Sequence, residues 1–132
     1  MTHRQSIDVE GFHHGGQPIP AACRVGNLVV TGGIHGMDPA TGALPDGPAD
    51  QVRHMFSNLG RILAASGASL DTVAKVTVFV KDKSLRDLVN EAWVGIFPDK
   101  ASRPARHTVQ NENLPGNMVV QCDAIAVIFG EG

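Results

Sequence analysis

The chain of 132 residues has no tyrosine, one tryptophan and two cysteines. A surface that stacks single-stranded nucleic acid needs several aromatic rings, so their shortage disfavours that function. The cysteines, Cys23 and Cys122, form no CxxC motif. There is also no secretory leader and no apolar run near the roughly 20 residues that span a membrane. These absences predict a cytoplasmic protein with reduced thiols and no membrane partner.

Charge is also sparse, since charged residues make up 18% of the chain and the formal net charge is −2. The basic residues are scattered, whereas nucleic-acid binding needs several cations on one face. We therefore expect no nucleic-acid partner, although one buried arginine is enough to hold a small carboxylate. The length and the 42% of hydrophobic residues predict a single globular domain over residues 1–132.

Motifs for metals and for covalent catalysis are missing from the sequence. The six histidines show no HxH or HExxH pattern and no Cys/His spacing, so no metal site is expected. There is no GxSxG elbow and no phosphate-binding loop. His35 stands out because it lies between Gly33 and Gly36 in a segment rich in chain breakers. An ordinary loop histidine and a site residue both fit that position.

Breakers and apolar spacing predict the secondary structure. An apolar stripe at positions i, i+3, i+4 and i+7 from Val52 predicts a long helix, and Gly67 suits its C-terminal cap. The predicted elements are an edge strand at 4–9, a hairpin at 21–31, a loop at 31–47, a helix at 48–66, a strand at 71–81, a helix capped by Ser84 and ending before Pro98, and strands at 105–110 and 117–129. From the hairpin onward the order is ββαβαββ.

This order predicts an α+β fold in which two helices pack on one face of a mixed sheet. Residues 76–80 and 119–128 are apolar on both faces, so neither strand has an obvious solvent side. The economical solution is that the open face of the sheet meets copies of the chain. Patterning alone allows a dimer as well as a trimer.

Three polar residues interrupt the apolar strands: Arg106, Gln121 and Asp123. Side chains alternate along a strand, so Arg106 shares a face with Thr108, and Gln121 shares a face with Asp123. A buried polar group without a partner costs about 1–3 kcal/mol. Two interpretations follow: Arg106 and Asp123 form an ion pair that holds an oligomer together, or Arg106 binds a ligand.

Several segments together resemble the RidA/YjgF family of imine and enamine deaminases. The similarity runs in order from about residue 18 to residue 128 and includes the sequences VGNLVVTG, ASGASL, VAKVTVFVKD and AIAV. The segments that carry it are residues 25–32, 38–42, 65–70, 73–82, 89–91, 104–106, 114–115 and 124–127.

The resemblance implies a chorismate-mutase-like fold and a homotrimer with three clefts between subunits. It further implies that Arg106 of the Pro-Ala-Arg motif binds a substrate carboxylate, for which a guanidinium is well suited. The other substrate-binding positions that it implies are Thr108, Gly32, Gly33, Ile19 and Asn90. Hydrolysis of an imine requires a placed water and proton transfer, so no cofactor is expected.

The chain departs from the family pattern at the last strand. Active members carry a glutamate where this chain has Gln121, and an amide can orient water but cannot take its proton. We expect Arg106, Gln121 and His35 to be the catalytic residues. The proton-handling group is left open between His35, Glu112 and Asp123.

The altered motifs also resemble members associated with aromatic catabolism, such as 2-aminomuconate deaminase. A dicarboxylate substrate of that kind needs a second cationic or donor group, for which Arg103 and His35 are candidates. The alternative function is a catalytically silent trimer that binds a small carboxylate or keto acid. An endoribonuclease role is disfavoured by the acidic balance of the chain.

Overall fold

A computed structural model describes residues 3–129 of the chain. The two ends of the predicted 1–132 domain, residues 1–2 and 130–132, lie outside the described residues. The strands and α-helices within the described range are β1 (Arg4–Ile7), β2 (Ala22–Val25), β3 (Leu28–Thr31), β4 (Ile34–His35), α1 (Pro48–Ala65), β5 (Val73–Val80), α2 (Arg86–Ile96), β6 (Ala105–Gln110) and β7 (Val120–Val127).

All the strands belong to one sheet with the order β1-β2-β3-β7-β5-β6, and β4 pairs with β7 beyond the end of β3. The β5–β6 pair is parallel and the other pairs are antiparallel. Both helices pack against one face of this sheet, where the hydrophobic core lies. The predicted α+β fold with two helices on a mixed sheet is therefore confirmed.

The ends of the helices follow from local chemistry. Helix α1 begins at Pro48, which needs no amide partner in the first turn, and Gly67 follows its end with φ of +92°. The predicted cap at Ser84 is wrong. The carboxylate of Asp82 instead accepts a hydrogen bond from the Ser84 amide and opens a 3-10 turn, after which α2 begins at Arg86.

Strand β4 lies inside the segment that the sequence predicted to be loop throughout. Val30 pairs with Ile125 and Ile34 pairs with Cys122, so the chain between β3 and β4 has one residue more than the opposing strand. This is the geometry of a β-bulge, which lets the chain bend without leaving the sheet. The bend places Gly33 against the side chain of Gln121.

The two faces of the sheet differ in character. On β7, Cys122 and Ala124 are buried against the helices, whereas Gln121 and Asp123 are half-buried on the open face. Several apolar side chains are well exposed on this open face, among them Leu28 (45%), Val30 (42%) and Ile125 (42%). The prediction that another copy of the chain covers this face is in keeping with that exposure and stays a prediction.

Within residues 3–129, no helix is both long enough and apolar enough to cross a membrane.

Candidate active site

Arg106 lies on the helix side of the edge strand β6. It pairs with Val76, which is buried against the helices, so its side chain points toward α2. Its guanidinium carbon is 4.8 Å from the ring centroid of Trp93, a cation–π distance. Its Nη2 donates a hydrogen bond of 2.5 Å to Oδ1 of Asn90. One turn of α2 therefore holds the guanidinium on two sides.

Two buried polar atoms on this face of β6 lack hydrogen-bond partners among the described residues. Nη1 of Arg106 and Oγ1 of Thr108 are both buried, and neither has a hydrogen-bond partner within residues 3–129. Thr108 is two residues along the same strand face, as the alternation predicted. Each unsatisfied buried polar group costs about 1–3 kcal/mol. A carboxylate, which only accepts hydrogen bonds, can satisfy both groups at once.

A second arginine lies beside this pair. Nη2 of Arg86, at the first position of α2, is 3.4 Å from the Thr108 carbonyl oxygen. Burial lowers the pKa of the Arg106 guanidinium, and the positive charge of Arg86 lowers it further. Neither arginine forms an ion pair with a carboxylate in the described part of the chain. The site thus carries two cations and lacks a compensating anion.

Asp123 does not supply that anion within the chain. It pairs with Thr77 on the open face of the sheet, whereas Arg106 lies on the helix side. The predicted Arg106–Asp123 ion pair is therefore absent from the single chain, and that interpretation is open only between two copies. Burial raises the pKa of the Asp123 carboxyl, and the charge of Lys75 partly offsets this effect.

A second group of predicted site residues lies around Gln121. A Cβ at Gly33 would lie 2.8 Å from Cδ of Gln121, so the glutamine amide is packed directly over the glycine. Nε2 of Gln121 is also 3.8 Å from Sδ of Met118. A side chain at position 33 would displace the amide of Gln121 from this place. At the bulge between β3 and β4, the backbone of Gly33 therefore lies beside the side-chain amide of Gln121. Polar groups arranged in this way can bind a water molecule.

His35 lies next to this group but is enclosed. Its ring is stacked on Phe12 with 4.7 Å between centroids, and its Nε2 is 3.2 Å from the carbonyl oxygen of His13. Its Nδ1 is buried without a hydrogen-bond partner in residues 3–129. Burial lowers the pKa of this imidazole, with smaller contributions from the neighbouring histidines. His35 is thus a mainly neutral ring beneath the N-terminal loop.

His14 is a residue that the sequence reasoning missed. Its Nε2 is 2.6 Å from the carbonyl oxygen of Gly33, and its ring lies edge-on to Phe12. The adjacent His13 makes a different contact, because its Nδ1 accepts from the Gly15 amide. The sequence contained one usable signal, since neighbouring histidines in an extended segment point apart and only one of them can face the sheet.

The remaining predicted residues are more scattered. Ile19 is 53% exposed in the N-terminal loop, and Glu112 is exposed in the loop after β6. Arg103 is engaged elsewhere, because its Nε donates a hydrogen bond of 2.7 Å to the Phe97 carbonyl oxygen. The structure therefore groups Arg106, Thr108 and Asn90 on one side of the sheet. Gly33, Gln121 and His35 form a second group around β4.

A groove of about 470 Å³ lies elsewhere, between α1 and α2. Its lining is mainly apolar, with side chains such as Phe56 and Leu88, and it includes neither Arg106 nor Gln121. Its guanidinium, that of Arg53, already binds the carboxylate of Asp50 at 2.9 Å. Because directed, unsatisfied polar groups define a site better than volume does, we place the candidate site at Arg106.

Comparison with known proteins identifies the family of the chain. The family model described as endoribonuclease L-PSP matches residues 17–128. A 2-iminobutanoate/2-iminopropanoate deaminase of Escherichia coli K12 is 35% identical over 104 residues, which cover 78% of this chain and 81% of the relative. A RutC family protein of Pyrococcus horikoshii is 36% identical over 110 residues, covering 83% and 86% of the two chains.

Solved structures show the same fold. The crystal structure of RidA from an Antarctic Psychrobacter has a TM-score of 0.85 at 33% identity and covers 94% of this chain and 99% of its own. That of Escherichia coli TdcF with bound serine has a TM-score of 0.84 at 29% identity, covering 93% and 98%. The chain belongs to the endoribonuclease L-PSP family, in which the RidA proteins are found. The names of its relatives support enamine and imine deaminase chemistry at the level of the family.

Proposed function

We propose that the chain is a hydrolytic deaminase of a carboxylate-bearing imine or enamine. Water attacks the imine carbon, and ammonia leaves. The observation that carries this proposal is the pair of unsatisfied groups at Arg106 Nη1 and Thr108 Oγ1, which face the same way on β6. A substrate carboxylate is the acceptor that completes both of them.

The complete site lies between two copies of the chain in a homotrimer. Arg106 projects from the helix side of edge strand β6, whereas Gln121 projects from the open face of β7. One chain cannot bring these side chains to the same small substrate. The exposed apolar residues of the open face support an interface there, which would set Gln121 of one copy near the Arg106 edge of the next.

Each residue then has a role. Arg106 binds the carboxylate, the Thr108 hydroxyl donates a hydrogen bond to it, and Asn90 fixes the guanidinium plane. Gln121 and the backbone at Gly32 and Gly33 hold the attacking water, and Ile19 forms a wall of the cleft. Held reactants and fixed dipoles supply most of the rate enhancement that such a reaction needs. The proposed reaction uses no cofactor.

For the substrate we propose a dicarboxylate of the 2-aminomuconate kind. The second cation is Arg86, in place of the predicted Arg103 or His35. Arg86 lies at Thr108 and near enough to Arg106 to affect its pKa, whereas Arg103 is bonded to the end of α2. Two adjacent cations that share no anion favour a ligand with two negative charges.

The test is ammonia release from 2-aminomuconate and from short 2-imino acids generated in situ by an oxidase. We expect the wild type to exceed the uncatalysed rate and Arg106→Ala to lose the acceleration. Arg53→Ala is the matched control, because Arg53 is an exposed arginine at the distant groove. Binding of the corresponding keto acid without ammonia release from any imine would instead identify the carboxylate-binding alternative.

The substrate class has its own test in Arg86→Gln. If a second carboxylate binds at Arg86, this variant loses about tenfold or more in kcat/KM on the dicarboxylate and keeps its rate on short monocarboxylates. Equal losses on both substrates would mean that Arg86 only supports Arg106. No loss on either would remove the dicarboxylate proposal while leaving the deaminase proposal in place.

A further inference from the structure

We propose that His14 is the proton-transfer residue of the site, which its contact with Gly33, the glycine that packs against Gln121, indicates. This inference rests on the proposed deaminase function. The resemblance to the family implies no role for this histidine, and the inference starts from one contact in the structure. Nε2 of His14 is 2.6 Å from the carbonyl oxygen of Gly33.

The contact places the imidazole at the bulge where the proposed water is held. Gly33 bonds to His14 through its carbonyl and packs against Gln121 through its Cα. A Cβ at Gly32 would be 3.7 Å from Cε1 of His14, so the ring covers both glycines. His14 and Gln121 therefore contact the same two-residue turn of backbone. Ile19, the proposed wall of the cleft, follows in the same loop.

The same contact selects the tautomer. A carbonyl oxygen only accepts hydrogen bonds, so Nε2 of neutral His14 carries the proton and Nδ1 has the free lone pair. No hydrogen bond to Nδ1 is made within residues 3–129, and the ring is partly exposed. A backbone carbonyl that holds one ring nitrogen and leaves the other free is the usual arrangement for a histidine base.

The other candidates are less suited to this role. An amide such as Gln121 cannot accept a proton at neutral pH. His35 is stacked beneath Phe12 with its Nε2 directed at the His13 carbonyl, so it faces the interior of the loop. Glu112 lies after β6. Asp123 lies across from the Gly32–Gly33 bulge, but its carboxylate accepts no hydrogen bond from that backbone within residues 3–129. His35 also has an Nδ1 without a hydrogen-bond partner within the described residues, but that atom is buried, whereas the ring of His14 is partly exposed and contacts the Gly33 carbonyl directly.

The proton balance can be followed through the reaction. As the water oxygen bonds to the carbon of the protonated imine, Nδ1 of His14 takes a proton from that water. The imidazolium returns the proton to the nitrogen of the resulting amino alcohol. The carbon–nitrogen bond then breaks with its electron pair on nitrogen while the hydroxyl becomes the carbonyl, and the hydroxyl proton leaves with ammonia as ammonium. No oxidant or cofactor enters.

The experiment compares His14→Gln with the control His13→Gln in the imine deaminase assay between pH 5 and 9. Glutamine keeps a hydrogen-bond donor for the Gly33 carbonyl but provides no base. We expect kcat to fall about 100-fold with little change in KM, and the acidic limb of the kcat profile to disappear. Within residues 3–129, His13 and His35 are titratable neighbours of His14, and because the His13 ring bonds to the Gly15 amide instead of the Gly33 carbonyl, His13→Gln should retain that limb.

A second variant guards against a folding defect. His14→Ala should regain activity as imidazole is added, because the free base can occupy the vacated space, whereas Arg106→Ala should not respond. An unchanged pH profile in His14→Gln, or no response of His14→Ala to imidazole, overturns the role of His14 while wild-type activity keeps the deaminase proposal. Absence of deamination by the wild type would overturn both.

Discussion

Arg106 and Gln121 lie on opposite faces of one sheet, and strand β5 separates the strands that carry them. The alternation of side chains fixes this relationship, so no rotamer change can bring the two groups together. A site that uses both residues must take them from different copies of the chain. The proposed reaction, which uses both residues, therefore requires the oligomer for catalysis and not only for stability.

Mixed oligomers test this requirement. We expect Arg106→Ala and Gln121→Ala each to be nearly inactive alone, and activity to return when the two are unfolded together and refolded. In a randomly mixed trimer about one quarter of the clefts pair an intact Arg106 with an intact Gln121. Ammonia release near that fraction of the wild-type rate supports sites between copies, whereas a mixture as inactive as its components contradicts them.

Substitution of Arg106 by lysine separates geometry from charge. Lysine keeps the cation but loses the planar fork that can donate to Asn90 and to a carboxylate at the same time. We expect Arg106→Lys to lose about 10–100-fold in kcat/KM, corresponding to about 1.4–2.8 kcal/mol. The variant should remain folded, since the arginine contributes one side-chain hydrogen bond and the Trp93 contact. Circular dichroism and the oligomer mass provide that control.

Gln121→Glu tests how the last strand has diverged. A carboxylate in place of the amide can accept a proton from the bound water. We expect the variant to gain activity on short 2-imino acids and to add a second titrating group to the pH profile. The comparison is chemical and not steric, because glutamine and glutamate are nearly the same size and the packing beside Gly33 is kept. A loss of activity would show that the amide itself is needed to orient the water.

Gln51 is predicted to stabilise the segments that precede α1 and β7. Its Nε2 donates to the carbonyl oxygens of Pro45 and Asn117, and its Oε1 accepts from the Val119 amide. Removal leaves three backbone groups without these partners, so Gln51→Ala should lower the free energy of unfolding by roughly 2–5 kcal/mol. The matched control is Gln5→Ala on the exposed edge strand, which should change stability by about 0.5 kcal/mol or less. Urea unfolding measures both.

The sequence predicted α1 to within one residue because a long apolar stripe and a glycine cap agreed with each other. It also placed Arg106 and Thr108 on one face, since a strand has a fixed period of two. Strand β4 was missed because two paired residues between glycines leave no periodic signal.

The arrangement of the site was harder to predict. The Arg106–Asp123 pair could be proposed because strand patterns tell which residues share a face, but not which of the two faces carries the helices. Arg86 and His14 were missed for a related reason. Each is assigned to the proposed site by a contact with the backbone of another segment, Thr108 and Gly33 respectively, and such contacts leave no trace in residue spacing.

His35 gives a prediction for stability against pH. Burial lowers the pKa of its imidazole below the ordinary value of 6.5, so the unfolded chain binds a proton that the folded chain does not. The free energy of unfolding should therefore fall as the pH drops from about 6.5 toward the lower folded-state pKa, and should be unaffected by this group above that range. His35→Gln removes the titrating ring, so its stability should depend less on pH between 7.5 and 5 than that of the wild type. The exposed His107 supplies the control variant, His107→Gln, which should keep the wild-type slope. Urea unfolding at several pH values measures the slopes, and equal slopes for wild type and His35→Gln would show that the Phe12–His35 stack tolerates the charged ring.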